Sequence, residues 1–126
     1  MDTLVLTTIL SVAANADGRA YLYPDSSTEQ WEVEEISVVA NDTSAANGTN
    51  YVSIQCFKGA STALTAARTT ASSGYTQGSG EAMTVTAAGA DKILSQTSPF
   101  HIRCTKAGTW VAINLAVTVR VRRLRV

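Results

Sequence analysis

The chain has 126 residues, room for one domain of ordinary size and not for two. Ten basic and ten acidic residues cancel, so no net field draws the whole molecule to nucleic acid or to an anionic membrane. Only 16% of the chain is charged, short of the quarter usual in soluble domains, while Thr, Val and other β-formers are abundant, so the composition describes a β-rich soluble domain.

The apolar stretch Leu4–Ala14 has the look of a signal-peptide core, but the only charge before it is Asp2, and a secretory signal wants a basic leader. Alternation of Leu4, Leu6 and Thr8 against Val5, Thr7 and Ile9 predicts a first β-strand instead. Asn15-Ala16-Asp17-Gly18 is turn chemistry, and the short apolar segment Ala20–Tyr23 ends at Pro24. Trp31–Asn41 reads as a strand whose apolar parity slips: Trp31 and Val33 share one face, then Ile36, Val38 and Ala40 take over. A slip at Glu34-Glu35 is the signature of a β-bulge.

Residues 41–50, with Asn47-Gly48 and no large apolar side chain, predict an exposed loop. Tyr51–Lys58 alternates cleanly, with Val52, Ile54 and Cys56 on one face, and Gly59 closes it. Thr62–Thr70 suits a short helix or an irregular edge strand, because its Ala and Leu favour one and its Thr the other. Ser72–Gly80 reads as a long flexible loop, and Glu81–Ala88 as a strand turning Met83, Val85 and Ala87 inward. Ile93-Leu94 is a small apolar anchor. Phe100, Ile102 and Cys104 then alternate with His101, Arg103 and Thr105. From Trp110 onward Val111, Ile113, Leu115, Val117, Val119 and Val121 share a face, and the two runs are expected to form a hairpin through Lys106–Thr109.

Seven or eight mostly antiparallel strands with no amphipathic helix predict an all-β, single-domain β-sandwich or jelly roll. Residues 1–30 would supply a first strand and a connecting segment, and 31–126 the main sandwich.

No motif assembles an active site. His101 is the only histidine, so any Ser-His or Cys-His system would have to use it, and mid-strand opposite Phe100 and Ile102 it reads as a surface residue. One histidine and two distant cysteines cannot supply the four ligands of a zinc site. Cys56 and Cys104 both point with the apolar set. They read as buried free thiols, with a disulfide possible only if their strands are neighbours. Glu32, Glu34 and Glu35 read as a solvated face in preference to a hydrolytic pair. Gly74–Gly80 lacks the lysine and following helix of a phosphate loop. Asn41-Asp42-Thr43 and Asn47-Gly48-Thr49 fit the glycosylation pattern, which matters only in a eukaryotic secretory protein. The expectation is a non-enzyme with no cofactor and no metal.

The charge is segregated. Residues 1–57 hold eight acids and only Arg19, a net of −7, while 58–126 hold nine bases with Glu81 and Asp91, a net of +7. Arg120, Arg122, Arg123 and Arg125 fall in the last seven residues. Three uses compete for them: cross-strand pairing with Glu32, Glu34 and Glu35 in the same domain, docking on an acidic patch of another subunit, and a nucleic-acid arm. No aromatic platforms interleave with the arginines, which argues against the last. Arg120, Arg122, Arg123, Arg125, Glu32, Glu34 and Glu35 are therefore the candidate intersubunit contacts.

In order and texture, the stretch from Trp31 to the end resembles the small jelly-roll head-decoration, or cement, proteins of tailed-phage virions. It carries the acidic strand Trp31-Glu-Val-Glu-Glu-Ile, then Tyr51-Val-Ser-Ile-Gln-Cys-Phe-Lys-Gly, the segment Thr62-Ala-Leu-Thr-Ala-Ala-Arg-Thr-Thr, and Leu115-Ala-Val-Thr-Val-Arg-Val-Arg. The resemblance implies a structural protein made in the host cytoplasm and bound to the major capsid protein on the outside of an icosahedral shell. It also implies a homo-oligomer, a trimer above other states, with neither nucleic acid nor membrane as partner. The family's N-terminal capsid-binding arm is not recognisable in this sequence. Rival readings are a carbohydrate- or receptor-binding module of a tail or fibre, with Trp31, Trp110 and the tyrosines as platform candidates, a small secreted hydrolase, and a shell-forming coat protein.

Overall fold

The computed structural model describes residues 2–125. Ten strands occur there in chain order: β1 (Thr3–Val12), β2 (Gly18–Leu22), β3 (Gln30–Ala40), β4 (Tyr51–Lys58), β5 (Thr62–Ala63), β6 (Arg68–Thr69), β7 (Gly80–Met83), β8 (Ile93–Leu94), β9 (Phe100–Ala107) and β10 (Ile113–Arg125). A single 3₁₀ turn, Gly89–Lys92, precedes β8. Sheet A runs β1-β10-β3-β7, with β8 also on β3; sheet B runs β2-β9-β4-β5, with β6 also on β4. Every pairing is antiparallel. Six of the nine connections cross between the layers, and β1 and β2, β10 and β9, and β3 and β4 take matching positions in opposite sheets. That double winding is a jelly roll, within the all-β sandwich class that the strand count and turn chemistry predict.

Period-two alternation fills the space between the layers. Sheet A contributes Leu10, Val33, Ile36, Val38, Leu115, Val117, Val119 and Val121, and sheet B contributes Val52, Ile54, Phe100 and Ile102, all buried. Cys56 and Cys104 lie in this core as free thiols, across neighbouring strands but in adjacent register rows. Burial pushes them to about 12 and about 11, so both stay protonated and unreactive at neutral pH. The bulge falls at Glu34: β10 pairs Arg120 with Glu35 and then Val121 with Val33, stepping over one residue. Trp31 and Val33 thereby join Ile36, Val38 and Ala40 inside.

Two expectations are corrected. β9 and β10 do not form a hairpin: β9 lies between β2 and β4 in sheet B, and β10 between β1 and β3 in sheet A. Both turn an apolar face to one core, so their alternation is the same whether they lie side by side or face to face. The connection is also held as a crossing. Gly108 has φ +70, and a Cβ there would meet the Asn50 side-chain oxygen at 2.3 Å. Asn15 N–H donates to Trp110 O, and Trp110 N–H to Asn15 Oδ1, tying this crossing to the one between β1 and β2.

The second correction concerns Ser72–Gly80, which is not a free loop. Tyr75 is buried and exchanges two 2.9 Å main-chain hydrogen bonds with Ser44. The Thr62–Thr70 segment takes the edge-strand alternative, as β5 and β6 on β4. β1 and β2 are integral to the two sheets.

The two flanks of the sandwich differ. On the β6–β7 flank Thr65 bridges Val85, and Thr86 N–H donates to Leu64 O. Arg68 there grips Glu81 with two hydrogen bonds of 2.7 and 3.0 Å, stacks 4.1 Å from the Tyr75 ring centre and donates to Gly74 O. On the β1–β2 flank the inward Leu4, Leu6 and Leu22 are only half-buried.

Candidate functional site

The arginines and glutamates singled out by sequence meet in one sheet. Antiparallel register sets β10 against β3, so the basic end of the chain lies along its acidic strand. Arg120 Nη2 donates to Glu35 at 2.8 Å, and its Nε lies 3.7 Å from Glu34. The bulge makes this fork available, because it turns two successive glutamates outward. Arg122 donates to Glu32 at 2.8 Å. These side chains stay on the surface, where each pair contributes about 0.2–1 kcal/mol.

Arg123 is different. It pairs in register with Trp31 and donates twice to Glu29 Oε1, at 2.9 and 2.6 Å, while the Trp31 indole N–H donates to Glu29 Oε2 at 2.7 Å. Glu29 is 7% exposed, and the Arg123 hydrogen bonds hold its carboxyl below the ordinary value of 4.5. Asp2 adds a weaker contact to Arg123 at 3.7 Å. Glu29 escaped the sequence reading because it precedes the strand and shares its face only through the Trp31 indole. Arg125 pairs by backbone with Gln30, and its side chain lies outside the described residues. The structure thus realises the cross-strand use of Arg120, Arg122 and Arg123 within one chain.

Beside this charged end, the outer face of sheet A is uncharged. One register row runs Thr7, Thr118, Ser37, Ala82 across four strands, and the next runs Ile9, Ala116, Val39, Gly80. Ile9 is 60% exposed and Val39 37%. The signal for this face was present as the outward half of each alternation, but sequence alone did not show which strands adjoin.

Sheet B presents an aromatic row, Tyr21, His101, Phe57, on β2, β9 and β4. His101 is on the outer face, as its parity predicts, but it is not a surface histidine: it is 2% exposed. The Phe57 ring stacks on it at 5.1 Å, and Tyr21 covers it at 5.3 Å. Arg103 donates from Nη2 towards His101 Nε2 at 3.2 Å, which makes Nε2 the acceptor. Burial first, then the Arg103 and Arg19 charges, lower its pKa below 6.5, so the ring is neutral at pH 7.

A third feature lies at the end of the sandwich where the crossings meet. An open cleft of about 630 Å³ is lined by Trp110, Val111, Asn15, Asn47, Asn50 and neighbouring small residues. The Asn15, Asn47 and Asn50 side-chain oxygens are occupied by backbone N–H groups. The amide nitrogens are the remaining donors of these side chains.

Among the described residues no group of three His, Cys, Asp or Glu side chains is placed to hold a metal ion, and no helix is long and apolar enough to cross a membrane. Compared with known proteins, the chain matches no family model, no curated protein and no solved structure.

Proposed function

We propose that this chain is a non-enzymatic virion structural protein that binds the outer surface of an icosahedral phage capsid and stabilises it as a decoration protein. The observation that carries the reading is the outer face of sheet A. Its two uncharged rows of small, hydroxyl-bearing and aliphatic side chains ride on a closely packed two-layer body. Such a face buries against a coat-protein surface with little desolvation cost, since it holds no charge to strip of water. The neighbouring arginines and glutamates satisfy one another within the domain and frame the face without repelling a partner of either sign. A weak contact of this kind gains strength from repetition over a shell.

The direct test is co-sedimentation of the full chain with purified tailed-phage capsids. Ser37→Lys, in the middle of the uncharged face, should weaken binding at least tenfold with the β-sheet circular dichroism intact. Unchanged binding would remove sheet A as the docking face.

The Trp110 cleft favours a second reading, a carbohydrate- or receptor-binding module of a tail or fibre. An indole beside three asparagine amides suits a sugar's ring face and hydroxyls, and the cleft volume suits a short oligosaccharide. Glycan-array binding lost on Trp110→Ala would select this reading over the first.

A further inference from the structure

We infer that β1 is an intermolecular pairing edge, and that its occupant is β1 of a second copy of this chain, antiparallel about a two-fold axis at Thr7. β1 is the longest edge strand of either sheet: its ten residues compare with five in β2, four in β7 and two in β5. Its hydrogen-bond ladder is on one side only, to β10, and β2 of the other layer closes on it at Val12, where a Cβ on Gly18 would meet Val12 Cγ2 at 2.6 Å. Natural edges of this length are blunted by charge, proline, a bulge or a covering loop. Thr3–Val12 contains no charged residue, no proline and no glycine, and its register with β10 runs unbroken. The opposite flank is stitched across by Arg68–Glu81 and the Thr65–Val85 bridge, whereas here Leu4 and Leu6 stay half-exposed, Val5 is 63% exposed and Ile9 60%.

The main-chain direction is fixed by one bond. Arg123 N–H donates to Asp2 O at 2.8 Å, so Asp2 and every second residue after it turn their backbone groups to β10. Thr3, Val5, Thr7, Ile9 and Ser11 therefore point theirs to the open edge. Those five are palindromic in character. Antiparallel pairing centred on Thr7 sets Thr3 against Ser11, Val5 against Ile9 and Thr7 against its own copy, hydroxyl on hydroxyl and aliphatic on aliphatic. Sliding the register by two residues mixes the classes at Thr3–Ile9 and Val5–Thr7. On the other face the chosen register sets Leu4 against Leu10 and Leu6 against Thr8. The strand is neutral, so a two-fold axis through it brings no like charges together, and about ten main-chain hydrogen bonds would join two four-stranded paths into one continuous sheet.

A second copy fits better than a different edge of the same chain, because no other edge is long enough to cover β1. The pairing is a two-fold, in place of the threefold implied by the family resemblance. Edge pairing over a strand roughly 33 Å long and 10 Å thick buries on the order of 800 Å² in total, below the roughly 1,200 Å² of stable interfaces, so the dimer should depend on concentration.

Sedimentation of the full chain without capsids tests this independently of shell binding. The wild type should pass from monomer to dimer as its concentration rises. Thr7→Lys places like charges on the axis, and Thr7→Pro removes an edge N–H without touching the β10 ladder. Both should raise the dimer dissociation constant at least tenfold with the thermal transition retained, and if Thr7→Pro fails to fold, Thr7→Lys decides. Ser37→Lys, two strands in from β1, should dimerise like the wild type even where it loses capsid binding. A wild type that stays monomeric, a trimer, or dimers undiminished in Thr7→Lys would overturn the pairing and leave the capsid reading standing.

Discussion

His101 shows how a neighbourhood fixes a residue's chemistry. Its parity on β9 was legible in the sequence, but its burial was not, because the cover comes from Tyr21 and Phe57 on strands 80 and 44 positions away. A lowered pKa has a definite stability signature. The unfolded chain binds the proton near 6.5 and the folded chain only at lower pH, so the contribution is full above that value and lost as pH falls through it. Thermal unfolding between pH 7 and pH 5 should show a falling midpoint in the wild type and a flatter profile in His101→Phe, which keeps the stack and removes the proton site. Equal pH slopes in both would mean the ring is not held neutral. Glu29 adds a second loss below 4.5, where protonation releases Arg123.

At the scale of elements, the β3 bulge was legible because two glutamates interrupt an apolar alternation, and the structure places it at Glu34. Its purpose is to keep five apolar residues on one side of a strand that would otherwise change face midway. Deleting Glu34 should turn either Trp31 and Val33 or Ile36, Val38 and Ala40 out of the core. At about 1.5–3 kcal/mol for each large side chain, the loss approaches the whole 5–15 kcal/mol stability of a domain. The deletion variant should lack a cooperative thermal transition, whereas Glu34→Ala, which removes one exposed contact at 3.7 Å, should shift stability by less than about 1 kcal/mol. A cooperative deletion variant would show that the register can slip at little cost. The connection between β9 and β10 marks the limit of pattern reading. Alternation records which side chains face the core, and in a double-layered fold it does not record the sheet.

Over the whole molecule, the same limit explains what the sequence left hidden. Segregated charge announced a partner for the basic C-terminal strand, and the jelly-roll winding supplied that partner within the chain by laying β10 on β3. The uncharged rows of sheet A, the Trp110 cleft and the unblunted β1 edge emerged only when distant strands were set side by side. They are uncharged surfaces on a body whose C-terminal arginines are matched within the chain, which is the basis for reading it as a component of a larger shell. Electron cryomicroscopy of the particles that co-purify with the full chain is the most direct measurement. The account predicts two-layered β density on the exterior of an icosahedral shell, with the outer face of sheet A against the coat protein. Density confined to a tail or fibre, or shells whose exterior shows no such density, would contradict it.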